Sequence, residues 1–200
     1  MALSEDDVDA DPFVQLARWY DDARRVAGDH ADDMVVATAT PDGEPSARMV
    51  LLRGLDERGL CFYTNIESHK GRDLAANARA ALVLHWPDLG RQVRVTGAVS
   101  RLDEADAIAY WRNRPRASQL SAWASRQSEP VASRAELEAE VERVAARFGD
   151  GDVPLPPVWG GYRVEPDAIE LWEHRDDRLH DRLRYRRDVA GAWLLERLAP

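Results

Sequence analysis

The chain has 200 residues, 44% of them hydrophobic and 32% charged, enough for one domain with a sizeable core or for one subunit of an oligomer. Its 36 acidic against 27 basic residues leave a formal charge of −9, which argues against non-specific nucleic-acid binding, where phosphate neutralisation dominates. No apolar run approaches the ~18 residues of a membrane span. The acidic start MALSEDDVDAD has no apolar stretch of the secretory kind, and Cys61, the only cysteine, allows no intrachain disulfide and disfavours a cysteine-based metal site. A cytoplasmic setting is the default expectation.

Residues 1–10 are polar, acidic and short, and are expected to be disordered, with a single domain over 11–200. Asp11-Pro12 reads as a helix cap followed by proline at the first helical position. Phe13, Leu16, Ala17, Tyr20 and Ala27 follow at helical spacing, and Gly28 is a stop. A β-rich run comes next. MVVATAT (34–40) and SARMVLLR (46–53) flank the turn signal Pro41-Asp42-Gly43, and LCFYT (60–64) follows a turn-like 56–59 segment. A short helix is predicted from His69 to Asn77. Two further strands start at Ala78 and Arg91, joined across Pro87–Gly90. Asp103 caps a helix to about Asn113, and Pro115 opens a second. Ser133 and Glu136 have capping-box spacing ahead of a stripe of Leu137, Val141, Val144 and Phe148 that Gly149 ends. After a proline-rich loop, strands are predicted at WGGYRV (159–164), AIELWEH (168–174), RLRYRR (182–187) and AWLLERL (192–198). There is no βαβ alternation and no glycine-rich phosphate loop. The fold class is therefore mainly β with helices (α+β), a small β-barrel carrying helices.

The arginines are not spread evenly. Arg175, Arg178, Arg182, Arg184, Arg186 and Arg187 crowd one stretch with His174 and His180, and Arg112, Arg114 and Arg116 lie beside Tyr110, Ser118 and Gln119. Guanidinium forks next to hydroxyls suit small anions such as phosphate monoesters. Tyr110 and Arg114 are four apart and share a helix face. Ser118 falls near the start of the next helix, where backbone donors favour anions. Arg48 and Arg53 bracket an apolar strand and, five apart, point to opposite faces if the strand is regular. Tyr63-Thr64 with Ser68-His69-Lys70 places hydroxyls and cations where a strand meets a helix. Arg178, His180 and Arg182 alternate, so on an extended chain they share a face, with Asp176, Asp177 and Asp181 as ion-pair partners. Taken singly, each cluster is better read as a solvated helix end, a strand-end arginine or a surface ion-pair ladder. His174 and His180 lack a third ligand at metal spacing, and no nucleophile-elbow motif supports a serine triad. No metal site is expected.

Taken in order, RMVLLR, FYTN, RQVRVTG, YWRNRPR with Ser118 and Gln119, SRQS, PPVWGGYRV, RLHDR and the terminal ERLAP resemble the pyridoxamine 5′-phosphate oxidase family over about Asp11 to Pro200. The resemblance implies an FMN-binding split β-barrel that dimerises with FMN at the subunit interface. It implies FMN contacts from Arg48, Met49, Val50, Leu51, Leu52, Arg53, Tyr63, Thr64, His69, Lys70, Gln92, Gln127, Ser128, Trp172 and Arg182. It also implies a substrate phosphate held by Arg53, Tyr110, Arg114 and Ser118, with Arg178, Leu179 and His180 against the pyridine ring and Arg178 and His180 closest to the chemistry. The implied reaction oxidises pyridoxamine or pyridoxine 5′-phosphate to pyridoxal 5′-phosphate, dioxygen being reduced to hydrogen peroxide. Three departures stand out. Arg53 occupies a position usually lysine, His69 stands where an arginine commonly meets the FMN phosphate, and no Arg or Tyr precedes Asp11 to cover the substrate. Two other readings stay open: an oxidase of the same fold acting on another aromatic anion of the phenazine-precursor kind, and a non-enzymatic FMN- or pyridoxal-phosphate-binding protein.

Overall fold

The computed structural model describes residues 3–200. Nine antiparallel strands form one curled sheet, a split β-barrel, and five helices decorate it. The strands are β1 (Asp33–Ala39), β2 (Pro45–Leu51), β3 (Gly54–Asp56), β4 (Gly59–Asn65), β5 (Arg79–Trp86), β6 (Arg91–Arg101), β7 (Trp159–Glu173), β8 (Asp181–Arg187) and β9 (Trp193–Arg197). The helices are α1 (Pro12–Ala27), α2 (His69–Ala76), α3 (Glu104–Arg112), α4 (Arg116–Ala124) and α5 (Arg134–Phe148). The hydrogen-bonded order is β2-β1-β5-β6-β7-β4-β3, with β8 on β7 and β9 on β8.

Alternation fills the barrel. On β1, Met34, Val36 and Thr38 turn inward; β5 adds Leu82, Leu84 and Trp86, and β6 adds Val93 and Val95. Each fully buried large apolar side chain contributes roughly 1.5–3 kcal/mol of transfer free energy. Helix α1 begins as its cap predicts, with Asp11 Oδ1 accepting from the Phe13 N–H at 2.8 Å. Its inward stripe of Phe13, Leu16, Trp19 and Ala23 covers the core. Cys61, on β4, is buried beside this core. A second cluster, centred on Trp111, Val153 and Trp159, docks α3 and α4 near β4 and the start of β7. There the proline-rich loop finds donors for its carbonyls, Trp111 Nε1 to Val153 O at 2.8 Å and Trp123 Nε1 to Pro154 O at 2.6 Å.

Four elements differ from the sequence reading. The two strands expected over 159–174 are one strand, β7, which bends at a bulge rather than ending. The unforeseen β3 is the short return arm of a hairpin with β4. The stripe on α5 is only partly covered, Val144 buried and Leu137 exposed, so periodicity overstated its contact with the core. The start of the chain is anchored over residues 3–9, where disorder was expected. Leu3 is buried and its N–H donates to Asp181 Oδ2 at 3.1 Å, Arg197 grips Glu5, and the Tyr185 hydroxyl donates to Asp9 O at 2.6 Å. Of the acidic residues that suggested solvation, Glu5 is the partner of an arginine distant in sequence and Asp9 pairs with Arg18 of α1.

At the bulge, Gly97 faces the β7 backbone so closely that an added Cβ would lie 1.9 Å from the Glu165 carbonyl oxygen. Gly97→Ala is expected to cost roughly 1–3 kcal/mol by forcing β6 off β7, checked by urea denaturation; an unchanged midpoint would show that the bulge relaxes freely.

Candidate active site

One end of the site is built where β4 meets α2. Ser68 caps α2, and its hydroxyl donates to Asn65 O at 2.6 Å. Gly71 sits against the Ile66 carbonyl, where a Cβ would lie 2.1 Å from the oxygen, so the first turn of α2 packs tightly under the strand end. That packing buries Lys70. Its Nζ donates to Gln127 Oε1 at 2.7 Å and to Thr64 Oγ1 and Ser68 Oγ at 3.1 Å, all neutral partners. Burial, and then the nearby Arg48 charge, bring the Lys70 amine down to about 8. Arg48, near the middle of β2, donates to Thr38 Oγ1 and Ser46 Oγ at 2.6 Å, with Asp73 Oδ2 at 3.8 Å. Burial lowers its pKa as well, Asp73 opposing. His69 lies half-exposed with Nε2 3.4 Å from Asp73 Oδ1.

Arg53 lies past the end of β2. Its Nε donates to the Tyr110 hydroxyl at 3.0 Å, and its Nη1 pairs with buried Asp32. Tyr110 stacks on Tyr63 with centroids 4.2 Å apart, and both rings lie parallel to Trp159. Gly161 makes room for this stack, since a Cβ there would come within 2.8 Å of the Tyr63 ring. Arg114 lies 5.0 Å from the Trp159 ring centroid, and its Nε is buried with no hydrogen-bond partner among the described residues.

These groups line one cleft of about 1100 Å³. It brings together Arg48, Met49, Val50, Leu51, Arg53, Tyr63, Thr64, His69, Lys70, Tyr110, Arg114, Ser118, Gln127 and Ser128 from the predicted set. Ser128 holds a positive φ of 75°, an unusual backbone for a non-glycine residue. Arg48 and Arg53 were expected on opposite faces; both line the cleft because β2 ends at Leu51 and the chain changes direction before Arg53. Leu52 is a correction: it points into the core, and its N–H donates to Asp32 O at 2.9 Å.

The remaining predicted residues are elsewhere in the chain. Gln92 pairs with Trp172, and Trp172 with Arg182, across β6, β7 and β8. Trp172 is at the far end of β7 from Trp159, ~40 Å along a straight strand. Arg178 does not share an extended face with His180 and Arg182. Residues 175–178 turn, Arg178 takes φ 65°, and β8 starts only at Asp181. Leu179 is exposed at this turn. His180 packs 4.7 Å from Trp172, and its Nδ1 accepts the Arg175 N–H at 3.0 Å, so a neutral ring carries its hydrogen on Nε2. Arg182 donates to Glu170 Oε1 and Ala199 O, both at 2.8 Å. The sequence reading missed Trp159, Asp73 and Asp32. Trp159 was within reach, since it stands in the PPVWGG motif; the two aspartates carry no local signal.

Residues 29–148 match the family described as "Pyridoxamine 5′-phosphate oxidase", and residues 159–200 match its "Pyridoxine 5′-phosphate oxidase C-terminal dimerisation region". A pyridoxine/pyridoxamine 5′-phosphate oxidase of Rubrobacter xylanophilus is 53% identical over 198 residues, 99% of this chain and 91% of that protein. PhzG of Burkholderia lata, solved with tetrahydrophenazine-1-carboxylic acid, superposes with a TM-score of 0.92 at 33% identity, covering 100% of this chain and 98% of that one. A pyridoxamine 5′-phosphate oxidase-related, FMN-binding protein of Nostoc punctiforme shares the fold at TM-score 0.72 and 21% identity, over 92% and 95% of the two chains. Fold and site define an oxidase-type split barrel. The chain belongs to the pyridoxamine 5′-phosphate oxidase family.

Lys70 gives a test of the site's electrostatics. Its amine titrates near 8 folded and near 10.5 unfolded, so between those values the unfolded chain binds more protons and stability rises with pH. Relative to Lys70→Met, the ligand-free wild type should gain up to roughly 3 kcal/mol from pH 7.5 to 10. Denaturation at a series of pH values measures this; a pH-independent difference would mean that Lys70 is not desolvated.

Proposed function

We propose that the protein is an FMN-dependent oxidase that converts pyridoxamine and pyridoxine 5′-phosphate to pyridoxal 5′-phosphate. One observation carries the reading. A single cleft holds two separate cationic sets, Lys70 with Arg48 and Arg53 with Arg114, and the second contains a buried guanidinium nitrogen without a partner. Two phosphate-bearing ligands side by side would satisfy both.

The residues fit FMN. Lys70 and Arg48 are desolvated like charges, and a phosphate dianion between them offsets their repulsion. Among the described residues strand β2 pairs only with β1, so its outer edge offers backbone donors and acceptors to a flavin ring. The chemistry that bound FMN supplies is two-electron acceptance from the substrate's exocyclic carbon, with dioxygen as final acceptor and hydrogen peroxide as by-product.

The protein's part is positioning. Arg53, Tyr110, Arg114 and Ser118 hold the substrate phosphate, and anchoring it far from the reacting carbon orients that carbon. Gln92, Trp172, Arg178, Leu179, His180 and Arg182 belong to the end of the sheet remote from this cleft. A homodimer in which that end meets the partner's cleft would complete the site with FMN at the interface. The dimerisation-region match over residues 159–200 supports this. In that arrangement Arg178 and His180 face the pyridine ring, and His180 offers its Nε2 hydrogen. A second reading rests on the similarity to PhzG, whose structure holds an aromatic carboxylic acid; the pairing of Arg53 and Arg114 with two hydroxyls favours the phosphate ester.

Adding pyridoxamine 5′-phosphate without oxygen should bleach the flavin, and admitting oxygen should release peroxide. Bleaching by a tricyclic aromatic acid but not by the vitamer would select the second reading, and no bleaching by either would leave a binding protein. Arg114→Ala should raise KM on the order of tenfold to a hundredfold with kcat nearly kept. Arg178→Ala should lose about 10²-fold in kcat while FMN stays bound. FMN affinity should fall as pH rises above about 8, where Lys70 loses its charge in the free protein; titration by flavin fluorescence checks this, and Lys70→Met should flatten the profile.

A further inference from the structure

Asp32 is buried just ahead of β1, and its carboxylate is shared among three donors. Oδ1 accepts from the Tyr20 hydroxyl at 2.6 Å and from Arg24 Nη1 at 2.9 Å, and Oδ2 pairs with Arg53 Nη1. Burial, then the hydrogen bond to Asp32, push the Tyr20 phenol up to about 12, so Tyr20 is a neutral donor. Two cations therefore grip opposite oxygens of one carboxylate. Arg24 belongs to α1 and faces a neighbouring cleft; Arg53 lies between that cleft and the one described above.

We propose that Asp32 is a positioning residue for the substrate phosphate, acting through Arg53. The inference rests on the reading that Arg53 and Tyr110 hold a phosphate ester. An arginine has five donors in a rigid fork. Asp32 takes Nη1 from one side, and the Tyr110 hydroxyl accepts from Nε at 3.0 Å. The guanidinium plane is thereby fixed, with Nη2 left for the ligand. Because Tyr110 accepts from Arg53, its own hydrogen is free to donate to a phosphate oxygen. A lysine at position 53 has no planar fork and would not transmit this orientation; the carboxylate is what lets an arginine serve there. Without Asp32, Arg24 and Arg53 would face each other uncompensated, and Arg53 would lose one of its two fixed contacts. A purely electrostatic role would act in the opposite direction, because removing a negative charge beside the site would strengthen anion binding.

The test uses the FMN-loaded enzyme, with steady-state kinetics on pyridoxamine 5′-phosphate and binding of pyridoxal 5′-phosphate against pyridoxal. Asp32→Asn should raise KM about tenfold with kcat within about twofold of wild type and FMN content unchanged. It should also weaken pyridoxal 5′-phosphate by a similar factor while leaving pyridoxal unaffected. In an Arg53→Met background the same substitution should add nothing. An unchanged or lower KM, or full additivity in the double variant, overturns the proposal. If Asp32→Asn does not fold, Asp32→Glu keeps the charge but displaces the carboxylate that fixes Arg53 and should raise KM a few-fold; a wild-type KM there overturns the proposal equally. A wild-type enzyme that binds pyridoxal as well as its phosphate would instead refute the phosphate-site reading, and this inference with it.

Discussion

The pairing of β7 with β4 at one end, with β8 at the other and with β6 along almost its whole length governs the layout of this protein. Fifteen residues of continuous strand cannot bring their two ends to one place. The aromatic stack and Arg114 gather around Trp159, while Trp172, His180 and Arg182 lie at the opposite end. A bulge at Gly97 bends the strand without breaking it, so the separation survives the curl of the barrel. Each chain thus carries two dissimilar groups of residues at opposite ends of β7, and a two-fold pair can bring one group of each chain against the other group of its partner.

Within the cleft, cations are held close together by neutral donors and acceptors. Lys70 rests on a hydroxyl pair and an amide, and Arg48 on Thr38 and Ser46. Carboxylates stand slightly back, as with Asp73 3.8 Å from Arg48. A site arranged this way stays attractive to an incoming anion, because its charges are oriented without being cancelled. Around Arg53 the arrangement differs: the Asp32 carboxylate pairs with it directly, but is shared with Arg24 and so offsets only part of the two charges.

Much of this was legible locally. The Asp11 cap, the Ser68 cap and the Ser133–Glu136 spacing mark real helix starts, and alternation marks β1, β5 and β6. The polar clusters around Tyr63-Thr64, Lys70, Arg114 and Gln127 do converge on one cleft. What escaped depends on contacts far apart in sequence. Alternation fails at Arg178 because the chain turns there. The acidic start is ordered by Arg197, nearly the whole chain away. Asp32 and Asp33 are adjacent residues of the same type, yet only Asp32 is drawn inward, by Tyr20, Arg24 and Arg53.

The lone sulfhydryl acquires meaning from the proposed reaction. Cys61 lies on β4, two residues from Tyr63 on the wall of the cleft and on the same face of the strand, but its side chain is buried. Burial raises its thiol pKa, so it stays protonated and a poor nucleophile toward oxidants. Under the proposed reaction, which releases peroxide, a thiol held in this form spares the protein a slow self-inactivation that an exposed thiolate in the same strand would invite.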